Sequence, residues 1–151
     1  MEKFRKWIAL GVLIACFGAV AAAWREPGAS HKVGRAAGGD RIAIIRVEGV
    51  LSGGASAEGW ESGTVGAETL AQQLNEARRD PHVKAVLLRI NSPGGSVSAA
   101  EETAREIARY KESGKPIVAS MGDMAASAGY WLAASCDKIY ANPSTLTGSI
   151  G

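Results

Sequence analysis

The chain has 151 residues, 46% of them hydrophobic and 21% charged, with 17 basic against 15 acidic side chains and a net charge of +2. That length allows one domain with its own core, and the near-neutral balance, with no basic block after Arg41, argues against a nucleic-acid partner. The two cysteines, Cys16 inside one apolar run and Cys136 at the end of another, are poorly placed to pair. They give no basis for a disulfide framework or a metal site, and nothing in the composition calls for a cofactor.

The first element is an amino-terminal span. Lys3, Arg5 and Lys6 make residues 1–6 a basic tip, and an uncharged run from Trp7 to Ala23 follows, closed by Trp24 and Arg25. At ~1.5 Å per residue, residues 7–24 reach roughly 27 Å, near the lower limit for crossing a bilayer. The tryptophans suit the two interfaces, and the leading charges would stay cytoplasmic and place the rest of the chain outside. Three readings of this segment stand. A retained transmembrane anchor is preferred. A cleaved signal peptide fits the small-x-small patterns Ala19-Val20-Ala21 and Ala21-Ala22-Ala23. A lipoprotein signal fits Leu13-Ile14-Ala15-Cys16, although the residues after Cys16 stay apolar where a tether is polar. Residues 25–40, glycine-rich with mixed charge, read as a flexible linker.

Residues 41–151 carry an α/β pattern. Arg41 to Val47 predicts a strand buried on both faces, and Glu48 to Gly66, with Trp60 as its one large apolar residue, predicts a long loop. From Ala67 to Arg79, Leu70, Leu74 and Ala77 share one helical face, and Asp80-Pro81 ends that helix. Val83 to Ile90 predicts a strand that runs into a Pro93-Gly94-Gly95 loop. The next helix is predicted to start near Ser98, with Glu101 completing a capping box, and to bury Val97, Ala100, Ala104 and Ile107. Ser113 to Pro116 breaks it, Ile117 to Met121 predicts a strand, and Asp123 reads as a turn or N-cap residue. Asp137 to Ala141 reads as a turn and short strand with Lys138 exposed. Alternation of strand and helix at this spacing argues for a mostly parallel sheet with right-handed crossovers.

The chemistry concentrates after two of these strands. Gly122-Asp123-Met124-Ala125-Ala126-Ser127-Ala128-Gly129-Tyr130 sets a serine among small residues where a strand gives way to an uncharged helical run. A serine hydroxyl is a weak nucleophile, so it needs a base within hydrogen-bond reach and donors aimed at the oxyanion it creates. Paired glycines after Ile90 let backbone amides approach a ligand, at the carboxyl end of a strand, where ligands collect in α/β sheets. Neither histidine, His31 in the linker or His82 in a turn, is an obvious base.

Three segments together, Ile90-Asn91-Ser92-Pro93-Gly94-Gly95-Ser96, Met124-Ala125-Ala126-Ser127-Ala128-Gly129-Tyr130 and Thr147-Gly148-Ser149-Ile150-Gly151, resemble the signal peptide peptidase A family of S49-type membrane serine peptidases. The resemblance runs from about Arg41 to the last residue. It implies repeated β-α units of the ClpP/crotonase-like kind around a mostly parallel sheet. It also implies a Ser/Lys dyad: Ser127 as nucleophile, a lysine as general base, amides near Gly94 and Gly95 as the oxyanion hole, and Ser149 helping to orient the lysine. The implied activity is degradation of remnant signal peptides or other apolar peptides at the outer face of a bacterial cytoplasmic membrane, by a ring-like homo-oligomer. Ala128-Gly129 stands where the family usually has Gly-Gly. The family's lysine lies downstream of the Gly-Ser-Ile-Gly motif, and Lys111, Lys115 and Lys138 do not occupy that position, so residues 41–151 read as the amino-terminal part of such a domain. The alternatives are an NfeD-type membrane serine protease, which shares an Ala-Ser-Ala-Gly-like segment, and a catalytically inactive binding or scaffold protein. A crotonase-type acyl-CoA enzyme shares the oxyanion logic but would meet no cytosolic CoA esters once exported.

Overall fold

The computed structural model describes residues 39–56 and 63–150. The predicted anchor at 7–24, most of the linker, Cys16, His31 and Trp60 lie outside the described residues. Among the described residues, no helix is long and apolar enough to cross a membrane.

The elements in order are β1 (Arg41–Ser52), β2 (Thr64–Gly66), α1 (Ala67–Arg79), β3 (Val83–Gly95), α2 (Val97–Lys111), β4 (Ile117–Ala126), α3 (Ala128–Ala134), β5 (Lys138–Tyr140) and β6 (Leu146–Gly148). The strands form one sheet in the order β2-β1-β3-β4-β5, with β6 pairing the far half of β4, and every pairing is parallel. The expected α/β alternation and parallel sheet are therefore present. Helix α1 packs on α2 and α2 on α3, so the helices make one layer. Leu70 and Leu74 of α1, Ile107 and Tyr110 of α2, and Leu132 of α3 meet Val47, Val86, Leu88, Ile90 and Ile117 of the sheet in one buried cluster. Each fully buried aliphatic side chain there stabilises the fold by about 1.5–3 kcal/mol relative to exposure.

Strand β1 departs from the expected two-sided burial. Ile45, Val47 and Leu51 are buried, whereas Ile42 and Ile44 are 64% and 51% exposed. The helical layer covers one face of the sheet, so side chains alternate between core and surface along the strand. The predicted Glu48–Gly66 loop is also shorter than expected, because β1 continues to Ser52 and β2 occupies Thr64–Gly66. Gly49 is the reason. Its φ is +82°, and a Cβ there would lie 2.2 Å from the Gly63 carbonyl oxygen, the group that accepts from the Val50 N–H. The glycine marks a bulge within a strand, not the strand's end.

Strand β3 likewise runs through the predicted Pro-Gly-Gly loop. Glu48 pairs with Asn91 and Val50 with Gly94, so Gly49 alone faces Ser92 and Pro93. A bulge is a place where a proline without an N–H is tolerated in a sheet. Helix α2 starts at Val97, with Ser96 and not Ser98 as its N-cap. The Ser96 hydroxyl accepts from the Ala99 N–H, while its own N–H is tied to the Leu51 carbonyl. Val97 is consequently exposed, and the buried stripe is Ala99, Ala100, Thr103, Ile107 and Tyr110. Strand β4 extends to Ala126, which places Asp123 within the strand with its side chain exposed, in neither a turn nor a cap. Helix α1, ending at Arg79 with Asp80 as its C-cap, and exposed Lys138 match expectation.

Candidate active site

Ser127 occupies the single residue between β4 and α3 and is the N-cap of that helix. Its backbone has φ 50° and ψ −122°, a region that costs a side-chain-bearing residue about 1–3 kcal/mol and persists only where the surroundings impose it. The surroundings here are specific. The Ser127 N–H donates to the Gly148 carbonyl at 2.8 Å, and the Ser127 carbonyl accepts from the Trp131 N–H at 3.0 Å to open the helix. The turn leaves the serine half-buried, between the buried Ala126 and Ala128. A strand-to-helix turn this sharp lifts a serine hydroxyl clear of its neighbours at the carboxyl edge of a sheet.

The other two motifs meet at the same place. Gly94, with φ +106°, passes so close that a Cβ on it would stand 2.6 Å from the Ser127 Cβ, 2.9 Å from the Ala126 carbonyl oxygen and 3.0 Å from the Ala128 nitrogen. Strand β6 brings the third, pairing Met124, Ala125 and Ala126 with Leu146, Thr147 and Gly148. Ser149 follows at φ 59° and is exposed. Among the described residues, Ser127 and Ser149 alone take positive φ without being glycine. Gly129 belongs to the arrangement too, since a Cβ there would be 3.1 Å from the Ser92 carbonyl oxygen. Of the two residues after Ser127, Gly129 is the one at which a side chain would be tightly placed, and the alanine at 128 is accommodated in a buried position.

The Gly94 N–H, an expected oxyanion donor, is held by a neighbour. It donates to the Ser92 hydroxyl oxygen at 3.1 Å, and that hydroxyl donates to the Gly49 carbonyl at 2.6 Å. Asn91 also takes part. Ile90 pairs with Met121 and Ser92 with Ala125, so Asn91 faces three residues of β4, and its side-chain oxygen accepts from the Met124 N–H at 3.1 Å. Gly122 lies against it, and the Gly122 carbonyl accepts from the Thr145 hydroxyl. These supports were not singled out by sequence reasoning. Asn91 and Ser92 stood inside a recognisable motif, but their partners Gly49 and Met124 are distant in the chain.

The described lysines stand elsewhere. Lys84 is the second residue of β3 and Lys138 pairs with Val118 near the start of β4. Lys115 donates to the carbonyls of Ala77, Arg78 and Asp80, closing the end of α1. Lys111 bonds the Ser135 carbonyl and lies 3.0 Å from Asp137, whose carboxylate accepts from the Ile117 N–H. That backbone N–H, and then Lys111, hold the Asp137 carboxyl below the usual carboxylate range. Beside it, burial pushes the Cys136 thiol up to about 12. Ten residue steps along β4 separate Ile117 at this end of the sheet from Ser127, up to roughly 33 Å at ~3.3 Å each.

Comparison with known proteins gives one family. Residues 109–151 match the family model described as Peptidase family S49. The chain is 50% identical over 113 residues, 75% of its length, to Protease 4 of Salmonella typhi. It is 40% identical over 119 residues to a chloroplastic serine protease, SPPA, of Arabidopsis thaliana, and 36% identical over 126 residues to an Enterococcus faecium protein provisionally named signal peptide peptidase SppA. It spans 18%, 17% and 34% of those three proteins respectively.

Proposed function

This chain belongs to peptidase family S49, and from that premise we propose that it carries the nucleophile of a serine endopeptidase, with Ser127 as the attacking residue. The observation that carries the reading is the backbone of Ser127, at φ 50° between the Gly94 backbone and the Gly148 carbonyl. A small residue chosen for helix packing alone would not need that conformation. The Ser127 Oγ attacks the scissile carbonyl carbon, a C–O bond forms, and the carbonyl electrons move to oxygen. Amides of the Gly94–Gly95 stretch receive that oxyanion. The hydroxyl proton passes to a neutral lysine, a state that burial in a dry site permits, and thence to the leaving amine as the C–N bond breaks. Water then releases the acyl group by the same steps.

The base lysine comes from outside the described residues, with Ser149 helping to orient it. The substrates are remnant signal peptides and other apolar segments, in keeping with the name of the Enterococcus faecium relative. Residues 7–24 form the membrane anchor, 25–40 the tether, and residues 41–151 part of a ClpP/crotonase-like peptidase domain on the outer face of the cytoplasmic membrane, assembled as a homo-oligomer.

An aryl fluorophosphonate applied to the full-length protein tests the assignment. Labelling should map to Ser127 and vanish in Ser127→Ala, with turnover of an apolar peptide falling by roughly 10⁴-fold or more. Retained turnover in Ser127→Ala would refute Ser127 as the nucleophile, and a wild type that neither labels nor turns over peptide would mean that the chain serves as a binding or scaffold protein.

A further inference from the structure

We propose that Ser92 is a positioning residue of the Ser127 site, its hydroxyl fixing the Gly94 backbone at the height where that backbone meets the nucleophile. The proposal rests on the peptidase reading above. Ser92 is fully buried, and a buried hydroxyl is tolerated where its bonds are made. Both are: it donates to the Gly49 carbonyl at 2.6 Å and accepts from the Gly94 N–H at 3.1 Å. The first partner belongs to the bulge of β1 and the second to the stretch that touches the Ser127 Cβ. Its backbone meanwhile pairs with Ala125 of β4 and lies beneath Gly129, in the first turn of α3. One residue thus contacts β1, the glycine pair, the strand that delivers Ser127 and the helix that leaves it.

The consequence for reactivity is geometric. Gly94 and Gly95 lack side chains, so little besides hydrogen bonds limits their backbone. With the Ser92 hydroxyl in place, the Gly94 amide is anchored, and the Gly94 backbone is held where it lines the Ser127 turn. Without it, the Gly94 N–H and the Gly49 carbonyl both lose their partner, and the glycine pair relaxes away from the geometry that the transition state requires. An error of about 1 Å in such a site costs on the order of 10²-fold in rate. Ground-state binding of a peptide does not depend on it.

The test uses the full-length protein with a fluorogenic apolar peptide. Ser92→Ala should lower kcat by ~10–100-fold while KM stays within about twofold, and Ser92→Thr, which keeps the hydroxyl, should recover most of kcat. Hydrogen exchange at the Gly94 amide should be slow in the wild type and in Ser92→Thr, and fast in Ser92→Ala. An unchanged kcat in Ser92→Ala, a rise in KM with kcat intact, or a Ser92→Thr variant as slow as Ser92→Ala would overturn the positioning role. Should Ser92→Ala not fold, the Ser92→Thr rate and the wild-type exchange decide; an unprotected Gly94 amide overturns it. A wild type that neither cleaves nor labels would instead defeat the peptidase reading, and the exchange result at Gly94 keeps the two failures apart.

Discussion

Gly94→Ala is the substitution whose cost follows most directly from the structure. Alanine would have to adopt φ +106°, worth about 1–3 kcal/mol of strain, and its Cβ would meet the Ser127 Cβ at 2.6 Å. Carbon atoms rest at roughly 3.5–4.0 Å, so the nucleophile and the glycine stretch must part by about 1 Å, at a further ~1–3 kcal/mol for overpacking. The sum, about 2–6 kcal/mol, is less than most of the ~5–15 kcal/mol range that holds typical domains folded. The protein should therefore fold but melt some 10–25 °C lower. At a temperature where both proteins are folded, fluorophosphonate labelling of Ser127 should slow by ~10²-fold. Gly114→Ala is the control: its φ is +76°, yet no atom lies within 4 Å of the added Cβ. It should cost only about 1–2 kcal/mol and leave labelling unchanged. Labelling of Gly94→Ala within about threefold of the wild type, or an equal loss in Gly114→Ala, would refute the idea that contact at Gly94 sets the position of the nucleophile.

Strain at Ser127 predicts that Ser127→Gly melts higher than Ser127→Ala, by the equivalent of about 1 kcal/mol, although neither has a hydroxyl; equal melting temperatures would show that the φ of 50° is not strained. Asp137 is held below the usual carboxylate range by the Ile117 N–H and Lys111. Its stabilisation is therefore fully present above about pH 4 and lost as pH falls through the lowered value. The urea midpoint of wild type minus Asp137→Asn should be constant above that pH and shrink below it, and a difference flat from pH 6 to pH 2 would contradict the assignment. Cys136, pushed up to about 12 by burial and donating to the Leu132 carbonyl at 3.4 Å, should resist iodoacetamide at pH 8 in the native protein and react on unfolding, as peptide mapping would show.

The order of the helices and longer strands was legible, though not the short β2 and β6, because it rests on local signals: the spacing of Leu70, Leu74 and Ala77, the apolar runs at Arg41, Val83 and Ile117, and the break at Asp80-Pro81. What misled were glycines and a proline. Gly49 and Pro93-Gly94-Gly95 read as the ends of strands, since in isolation those residues punctuate a chain. In the sheet, Gly49 is opposed by Ser92 and Pro93 and the ladder resumes beyond them, an outcome decided by a neighbouring strand more than forty residues away. The N-cap at Ser96 instead of Ser98 has the same origin, because the Leu51 carbonyl holds the Ser96 N–H at the end of the ladder. Of the site, Ser127, Gly94 and Gly148 could be picked out as motif members, but the hydroxyl bridge from Ser92 to Gly49 could not. Nothing local in Ser92-Pro93-Gly94 distinguishes a turn serine from a buried clamp.

The position of the lysines bears on the mechanism as strongly as the serine does. A base must approach the Ser127 Oγ to within about 3 Å, yet Lys84, Lys111, Lys115 and Lys138 gather at the opposite end of the sheet, where three of them already have work. Lys115 satisfies three carbonyls at the end of α1, where a positive charge also favours the helix dipole, and Lys111 pairs with Asp137 beside the first residue of β4. These are structural roles, and neutralising either side chain would disturb the strand ends before it affected chemistry. On the mechanism proposed above, the base is none of these four lysines; on the β6 side of Ser127, Gly148 accepts from the Ser127 N–H and Leu146 and Ile150 are exposed. Ser149, proposed above to help orient the base, follows with a positive φ of 59°. On that proposal Ser149→Ala should slow turnover while leaving the four described lysines and their bonds undisturbed, and unchanged turnover would remove Ser149 from the mechanism.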